Sequence, residues 1–343
     1  MAWSGRLSLA PPTLADVAER AGVSRQTVSN AVNNPELLRP DTLARVQDAI
    51  RELGYSPNRA ARNLRTRASH LIGMRFNPAQ EGTANAAMDR FVHSLVETSG
   101  DSGYHILLFS DTTGDPTGGY DDLLRSTAVD AFIVTDTYLG NPQAAWLTSR
   151  RAPFVAFGRP WDNPDATHAW VDVDGAVGGD MATSHLIERG HHRIAWIGWR
   201  KDSFIGEDRR SGWTRAMHAR DLPTTGLASR VEDTVASGRE AASVLLDEAQ
   251  PTAFVCASDT LAIGVLHALG DRGIHWGKDV AVVGFDDSQV AQVVPGGLTS
   301  VRQPLEQVAV ELVKALEGLL STPPVAKPGV LLSPTLAVRL SSG

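Results

Sequence analysis

From about residue 70 onward, short apolar runs alternate with amphipathic helical patterns, and this alternation constrains the fold more than any other feature of the chain. The runs are LIGMRF (71–76), YHILLFS (104–110), AFIVTD (131–136), PFVAFG (153–158), RIAWIG (193–198), TAFVCAS (252–258) and VAVVGFD (280–286). Helical periodicity fills 86–100, 176–189, 237–249 and 261–272. Strands that alternate with helices make parallel sheets covered on both faces. There is enough chain here for two such sheets. The length of 343 residues allows two or three domains.

The first 70 residues have a different character. They hold ten arginines against six acidic residues, a net of +4, whereas the remainder holds 22 basic and 33 acidic residues, a net of −11; together these give the chain's −7. A basic head on an acidic body directs only the head toward a polyanion. One cysteine, Cys256, excludes an intrachain disulfide and fits a reducing, cytoplasmic compartment. No run of about 18 apolar residues predicts a membrane span, and the start lacks the apolar core of a secretory signal.

Within the head, residues 13–55 predict three helices. Leu14, Val17, Ala18 and Ala21 form one stripe, with Gly22 after it. Ser24 is a suitable N-cap for RQTVSNAVNN, whose Val28, Ala31 and Val32 face inward. After a loop containing Pro35 and Pro40, Asp41–Leu53 carries Leu43, Val46, Ile50 and Leu53 on one face. Two helices joined by a tight Gly-containing turn make a helix-turn-helix, which lays its second helix in the DNA major groove. Arg25, Gln26, Ser29 and Asn30 stand where bases are read. Arginine pairs with guanine, and Gln or Asn with adenine.

Residues 56–67 predict a short helix: Ser56 caps it, Pro57 suits its first turn, and Ala60, Ala61 and Leu64 make a narrow stripe among Arg59, Arg62 and Arg65. About ten residues do not hold a helix alone in water, so this one docks on the body or folds on DNA.

In the body, ligands of open parallel sheets sit beyond the carboxyl ends of strands. Those ends hold Asn77, Asp136, Gly158-Arg159, Gly198-Trp199, Ser258-Asp259 and Asp286-Asp287. Carboxylates, an amide and indole rings in one cleft suit a polyhydroxylated ligand. Asp172, Asp174 and Asp259 are read as helix N-caps. Trp161 and Trp170 either stack on a saccharide or serve the structure. His185, His191 and His192 read as capping and packing groups. With no G-x-G-x-x-G after the first strand, no phosphate-binding loop, no G-x-S-x-G and no H-E-x-x-H or Cys/His metal spacing, the sequence predicts neither cofactor, metal nor enzyme.

The head carries Asp16-Val17-Ala18, Ala21-Gly22-Val23-Ser24, Thr27-Val28-Ser29, Val32-Asn33 and Gly54-Tyr55-Ser56-Pro57-Asn58; the body carries RGHHRIAWIG (189–198), EDRRSGW (207–213), SDTLAIGVL (258–266), VAVVGFDDS (280–288) and LTSVRQP (298–304). In these motifs, more loosely in the body than in the head, the chain resembles the LacI/GalR family of bacterial repressors. The resemblance implies an all-α helix-turn-helix head and hinge helix, followed by a periplasmic-binding-protein-like body of two doubly wound α/β subdomains. Its implied organisation is a disordered tail at 1–12, the DNA-binding domain at 13–55, the hinge at 56–67, and an effector-binding and dimerisation domain at 68–343. Within the last, one subdomain takes 70–168 with 303–329 and the other 169–300 with 330–340. DNA contacts are implied for Ser24, Arg25, Gln26, Thr27, Ser29, Asn30, Asn33, Asn58, Ala61, Leu64 and Arg65, with Leu64 wedging into a central base step. Effector contacts are implied for Arg209 and Asp286, then Asn77, Asp136, Ser258 and Gln303. The expected molecule is a homodimeric repressor on a pseudo-palindromic duplex operator, controlled by a mono- or oligosaccharide; the alternatives are a purine or nucleoside effector, or a sugar-processing enzyme on the same scaffold.

Overall fold

The computed structural model describes residues 12–55, 68–76, 86–110, 115–135, 140–161, 163, 165–201, 203–325 and 329–343. The chain divides into two compact units, Met1–Ser69 and His70–Gly343.

The first unit is helical. Helix α1 (Leu14–Ala21) starts at a capping box in which Thr13 and Asp16 exchange bonds, and it ends at Gly22 with φ +64°. That left-handed conformation costs glycine little and lets its N–H reach the last carbonyls of the helix. Helix α2 (Arg25–Asn33) starts at Ser24, whose Oγ accepts from the Thr27 N–H at 3.1 Å. Helix α3 (Pro40–Leu53) begins one residue earlier than the periodicity suggests. Proline fits there because the first helical N–H has no partner to lose. Val17, Ala18, Val28, Ala31, Val46 and Ala49 make the small core, with Leu43, Ile50 and Leu53 against it.

The second unit holds two six-stranded sheets. The first comprises β1 (Leu71–Arg75), β2 (His105–Phe109), β3 (Ala131–Val134), β4 (Phe154–Phe157), β5 (Ala169–Val173) and β11 (Val330–Leu332), in the order β11-β5-β4-β3-β1-β2. All pairs are parallel, with Ile72 opposite both Ile106 and Ala131. Successive side chains alternate faces. Ala131 and Ile133 pack with α4 (Ala86–Asp101) and α12 (Leu305–Leu320) through Phe91, Leu95, Val308 and Leu312. Phe132 and Val134 pack on the other face with Tyr120 of α5 (Gly118–Arg125) and Leu147 of α6 (Pro142–Ser149). Burial on both faces is why such strands read as unbroken apolar runs.

The second sheet comprises β6 (Ile194–Gly198), β7 (Ala228–Arg230), β8 (Ala253–Cys256), β9 (Ala281–Asp286), β10 (Thr299–Arg302) and β12 (Thr335–Ala337), in the order β12-β10-β9-β8-β6-β7. Only β12 runs antiparallel to its neighbour. Helices α7 (Gly175–Glu188), α8 (Phe204–His218), α9 (Val235–Glu248) and α10 (Asp259–Asp271) cover it, and α11 (Gln289–Val293) follows β9. Cys256 is buried in this core, and burial pushes its thiol pKa up.

The chain passes between the halves at 173–175, 302–305 and 332–335. Two expected boundaries move. Residues 169–173 and 330–332 pair with each other in the first sheet, rather than joining the second half. The Trp- and Pro-rich stretch before β5 hides the strand, and β11 is an edge strand of three residues with little periodicity to read. Trp170 is structural here: a Cβ on Gly329 would lie 1.8 Å from its indole, so the ring occupies the space over β11. Among the described residues, no helix is long and apolar enough to cross a membrane.

Candidate functional site

Helix α2 of the first unit presents a polar face. Arg25 and Gln26 are exposed, and Ser29 and Asn30 follow one turn later, whereas Val28 and Ala31 point into the core. Gln26 Nε2 donates to Asn30 Oδ1 at 3.0 Å, so the two amides are held side by side. Ser24 and Thr27 join hydroxyls at 2.9 Å at the helix start, and Asn33 Nδ2 donates back to the Ser29 carbonyl at 2.7 Å. Arg25 carries no ion pair among the described residues, which leaves its guanidinium available. Asn58, Ala61, Leu64 and Arg65, like the whole expected hinge helix and the tail at 1–11, lie outside the described residues.

In the second unit, the carboxyl ends of both sheets face a cleft of about 290 Å³. Arg209 forms its floor. It lies in the second turn of α8, which Ser203 caps. Its guanidinium Cζ sits 3.8 Å from the centre of the Phe285 ring and 4.9 Å from that of Trp199. Nη1 donates to the Ala257 carbonyl at 2.5 Å and to Asp286 Oδ1 at 3.3 Å. The same oxygen accepts from Gln303 Nε2 at 2.6 Å. Arg209, Asp286 and Gln303, distant in sequence, therefore meet at one point.

Asp286 ends β9 with φ +107°, and Asp287 follows at +48°. Such values are strained for side-chain-bearing residues and persist only where the surroundings enforce them. Here Asp287 supplies the restraint: its carboxylate takes Arg302 Nε and Arg339 Nη2, each at 2.5 Å, and its N–H donates to Ser300 Oγ at 2.9 Å. Burial raises the Asp286 pKa, with Arg209 opposing.

Other expected site residues fall elsewhere. Ser258 is the N-cap of α10 and does not line the cleft. Its Oγ accepts from the Leu261 N–H at 3.2 Å and donates to Asp233 Oδ1 at 2.5 Å. Asp233, absent from the sequence reading, does line it. A serine at a strand-to-helix turn serves equally as cap or ligand, and the capping bond takes it. Asp259, expected as a cap, sits one residue inside the helix. Its buried carboxylate accepts from Ser300 Oγ at 2.6 Å and the Ser288 N–H at 2.7 Å, and burial together with nearby Asp286 raises its pKa. Asp174 is the N-cap of α7, as read, accepting from the Val177 N–H at 2.9 Å. Asp172 is not a cap: it lines the cleft and pairs with Arg159 at 2.7 Å. Burial raises its pKa against that arginine's pull. Asn77 and Asp136 lie outside the described residues.

Trp161 lines the cleft and Trp170 does not. Asp208, also missed, lines it too; its only signal in sequence was a position next to Arg209. Three donors of cleft-lining side chains, Arg209 Nε, Trp161 Nε1 and Trp199 Nε1, are buried and meet no acceptor in the protein. Buried donors are nearly always satisfied, so these three stand out among the residues that line the cleft. His185 and His191 are hydrogen-bonded within the fold, His185 to Ser342 at 2.8 Å and His191 to Thr252 at 3.1 Å. Among the described residues, no three His, Cys, Asp or Glu side chains are grouped to hold a metal ion.

Comparison with known proteins matches both units. Residues 13–58 match the bacterial regulatory proteins of the lacI family, and residues 183–342 match the periplasmic binding protein-like domain. The transcriptional regulator CelR of Thermobifida fusca is 35% identical over 314 residues, covering 89% of this chain and 91% of the relative. The structure of a CelR–cellobiose complex superposes with a TM-score of 0.73 at 31% identity, over 96% of this chain and 99% of that one. The lac repressor dimer bound to operator and the anti-inducer ONPF gives 0.80 at 26% identity, over 97% and 99%. With a helix of base-reading chemistry in the first unit, a two-sheet cleft in the second, and relatives that match along nearly its whole length, the chain belongs to the LacI family of bacterial transcription regulators.

Proposed function

We propose that this regulator is a repressor of carbohydrate uptake or catabolism genes, and that a small saccharide in the inter-sheet cleft controls its operator affinity. The observation that carries the reading is the composition of that cleft: the Arg209–Asp286–Gln303 cluster, flanked by Trp161, Trp199 and Phe285. A sugar offers what each wall needs. Its hydroxyls accept from indole and guanidinium N–H groups and donate to carboxylates, and its C–H faces lie on aromatic rings. The likeness to a regulator solved with cellobiose supports a saccharide over a purine.

In the same reading, Arg25, Gln26, Ser29 and Asn30 read a half-site in the major groove, Ser24, Thr27 and Asn33 set the helix on the backbone, and two copies of the chain bind a pseudo-palindromic operator in the cytoplasm. Asn58, Ala61, Leu64 and Arg65 belong to the proposal as the hinge's contacts to DNA, with Leu64 wedging into a central base step from the minor groove. Asn77 and Asp136 are carried as further effector contacts.

Titrating cellobiose, D-ribose, maltose and adenosine against the chain's tryptophan emission tests the effector. A saccharide that changes the emission and also changes binding of a duplex selected from a random pool supports the reading. A response to adenosine alone moves the effector to the purine class, and silence from every saccharide overturns the sugar assignment. Sedimentation of the protein–duplex complex decides whether two copies bind.

A further inference from the structure

One cluster bordering the cleft joins side chains from both halves of the body. Arg159 lies just beyond β4 in the first half. Its Nε donates to Asp172 Oδ2 at 2.7 Å within the same half, and its Nη2 donates to Asp208 Oδ2 at 2.7 Å on α8 of the other half. The arginine also lies flat on its own loop, with Cζ 4.0 Å from the Trp161 ring centre. Trp161 in turn stacks on Phe204 in the first turn of α8, with centroids 6.0 Å apart and 12° between planes. Two adjacent contacts, one ionic and one aromatic, thus span the halves.

Each ionic partner also has a permanent partner on its own side. Arg159 keeps Asp172, and Asp208 Oδ2 keeps the Ala176 N–H at 3.1 Å. The three side chains are only 21%, 9% and 13% exposed. In such surroundings a buried ion pair is costly to break if either charge is orphaned. Here breaking the crossing bond leaves Arg159 its carboxylate partner and Asp208 its backbone N–H, so neither loses its last hydrogen bond, although Asp208 loses its cation. Asp208 directly precedes Arg209, so the state of this contact bears on the helical turn that supports the cleft floor.

We propose that Arg159 and Asp208 are positioning residues: they form a clasp between the halves whose making and breaking couples the cleft to operator affinity. The proposal rests on the effector reading above. The crossing bond depends on the relative orientation of the halves, whereas Arg159–Asp172 lies within one half and does not. A ligand that prefers one orientation therefore acts on the clasp, and by reciprocity the clasp acts on the ligand.

The test uses the full chain as Arg159→Ala, Asp208→Asn, the double variant and Arg159→Lys, with the duplex that the unmodified chain selects from a random pool. Each single variant is expected to change the duplex Kd without saccharide by roughly fivefold or more, the range of ordinary allosteric couplings. The double variant is expected to go no further than the larger single one, because both remove the same bond. Arg159→Lys keeps the charge but not the two-pronged geometry, so it recovers only part of the change. The ratio of duplex Kd with and without each saccharide of the panel is expected to move in parallel, a readout that a purely structural pair leaves unchanged. A duplex Kd within twofold in both single variants, or fully additive effects in the double, overturns the clasp. If no saccharide binds the unmodified chain, the effector reading fails while the measurements without saccharide still decide the clasp. If Arg159→Ala does not fold, the near-isosteric Asp208→Asn carries the test.

Discussion

Arg209 shows how much one side chain is asked to do. It is buried to within 6% of its surface, lies between two aromatic rings, and neutralises a carboxylate whose own backbone is strained. Truncating one member of such a buried charged pair costs ~2–5 kcal/mol of binding, much of it from the partner left unpaired. Arg209→Ala is therefore expected to abolish the saccharide-induced change in operator binding while binding without saccharide persists; a gel-shift titration with and without ligand checks both halves. Asp259 carries a pH signature. Burial holds its folded pKa above the ordinary 3.8, so the folded state binds its proton more tightly than the unfolded chain does. The stability this contributes is complete below 3.8 and is lost as pH rises through the higher folded value. The urea midpoint of the unmodified body should fall more steeply with pH above 4 than that of Asp259→Asn, which has no proton to lose. Equal slopes in the two proteins would remove Asp259 as the source.

At the scale of elements, the cleft depends on how closely α7 and α8 approach. A Cβ added to Gly212 would lie 2.0 Å from the Ala176 carbonyl oxygen and 2.5 Å from the Asp180 nitrogen, while one on Gly179 would lie 2.0 Å from the Arg209 carbonyl oxygen. These neighbours are backbone, so no rotamer change relieves the clash. Gly212→Ala is expected to push the helices apart, cost ~1–3 kcal/mol in denaturant unfolding as overpacking does, and weaken saccharide binding by shifting Arg209. In the head, α2 is a short helix whose inward face is only Val28 and Ala31, so its outward side chains are free to be chosen for DNA. Arg25→Ala is expected to cost ~1–3 kcal/mol and to relax selection at one base position, as read from the sequences recovered from a random pool. The caps of this unit were legible because capping is local: Ser24 and Gly22 act on residues within four positions. Pro40 was misplaced by one residue because a proline signals a loop and a first helical turn equally well.

For the whole molecule, the same strand order occurs twice, with the first strand of each half between the second and third. That arrangement brings the carboxyl ends of both sheets to one cleft, while three passages of the chain join the halves. The head is a separate compact unit. Two calorimetric transitions are therefore expected, and a saccharide at a hundred times its Kd should stabilise only the body, by ~2.7 kcal/mol. A single transition that shifts as one would refute independent units.

The sequence by itself determined the alternation of strands and helices, the three-helix head with its polar outer face, and the family. Each of these rests on periodicity, capping or a motif, signals that need only residues a few positions apart. Tertiary structure alone decided that Ser258 caps while Asp233 faces the cleft, that Asp172 and Asp259 are not caps, and that β5 and β11 belong to the first half. It alone brought Arg159 to Asp208, 49 residues away. Such meetings depend on strand order and on where the chain crosses between sheets, and nothing in the local pattern of polar and apolar residues encodes them.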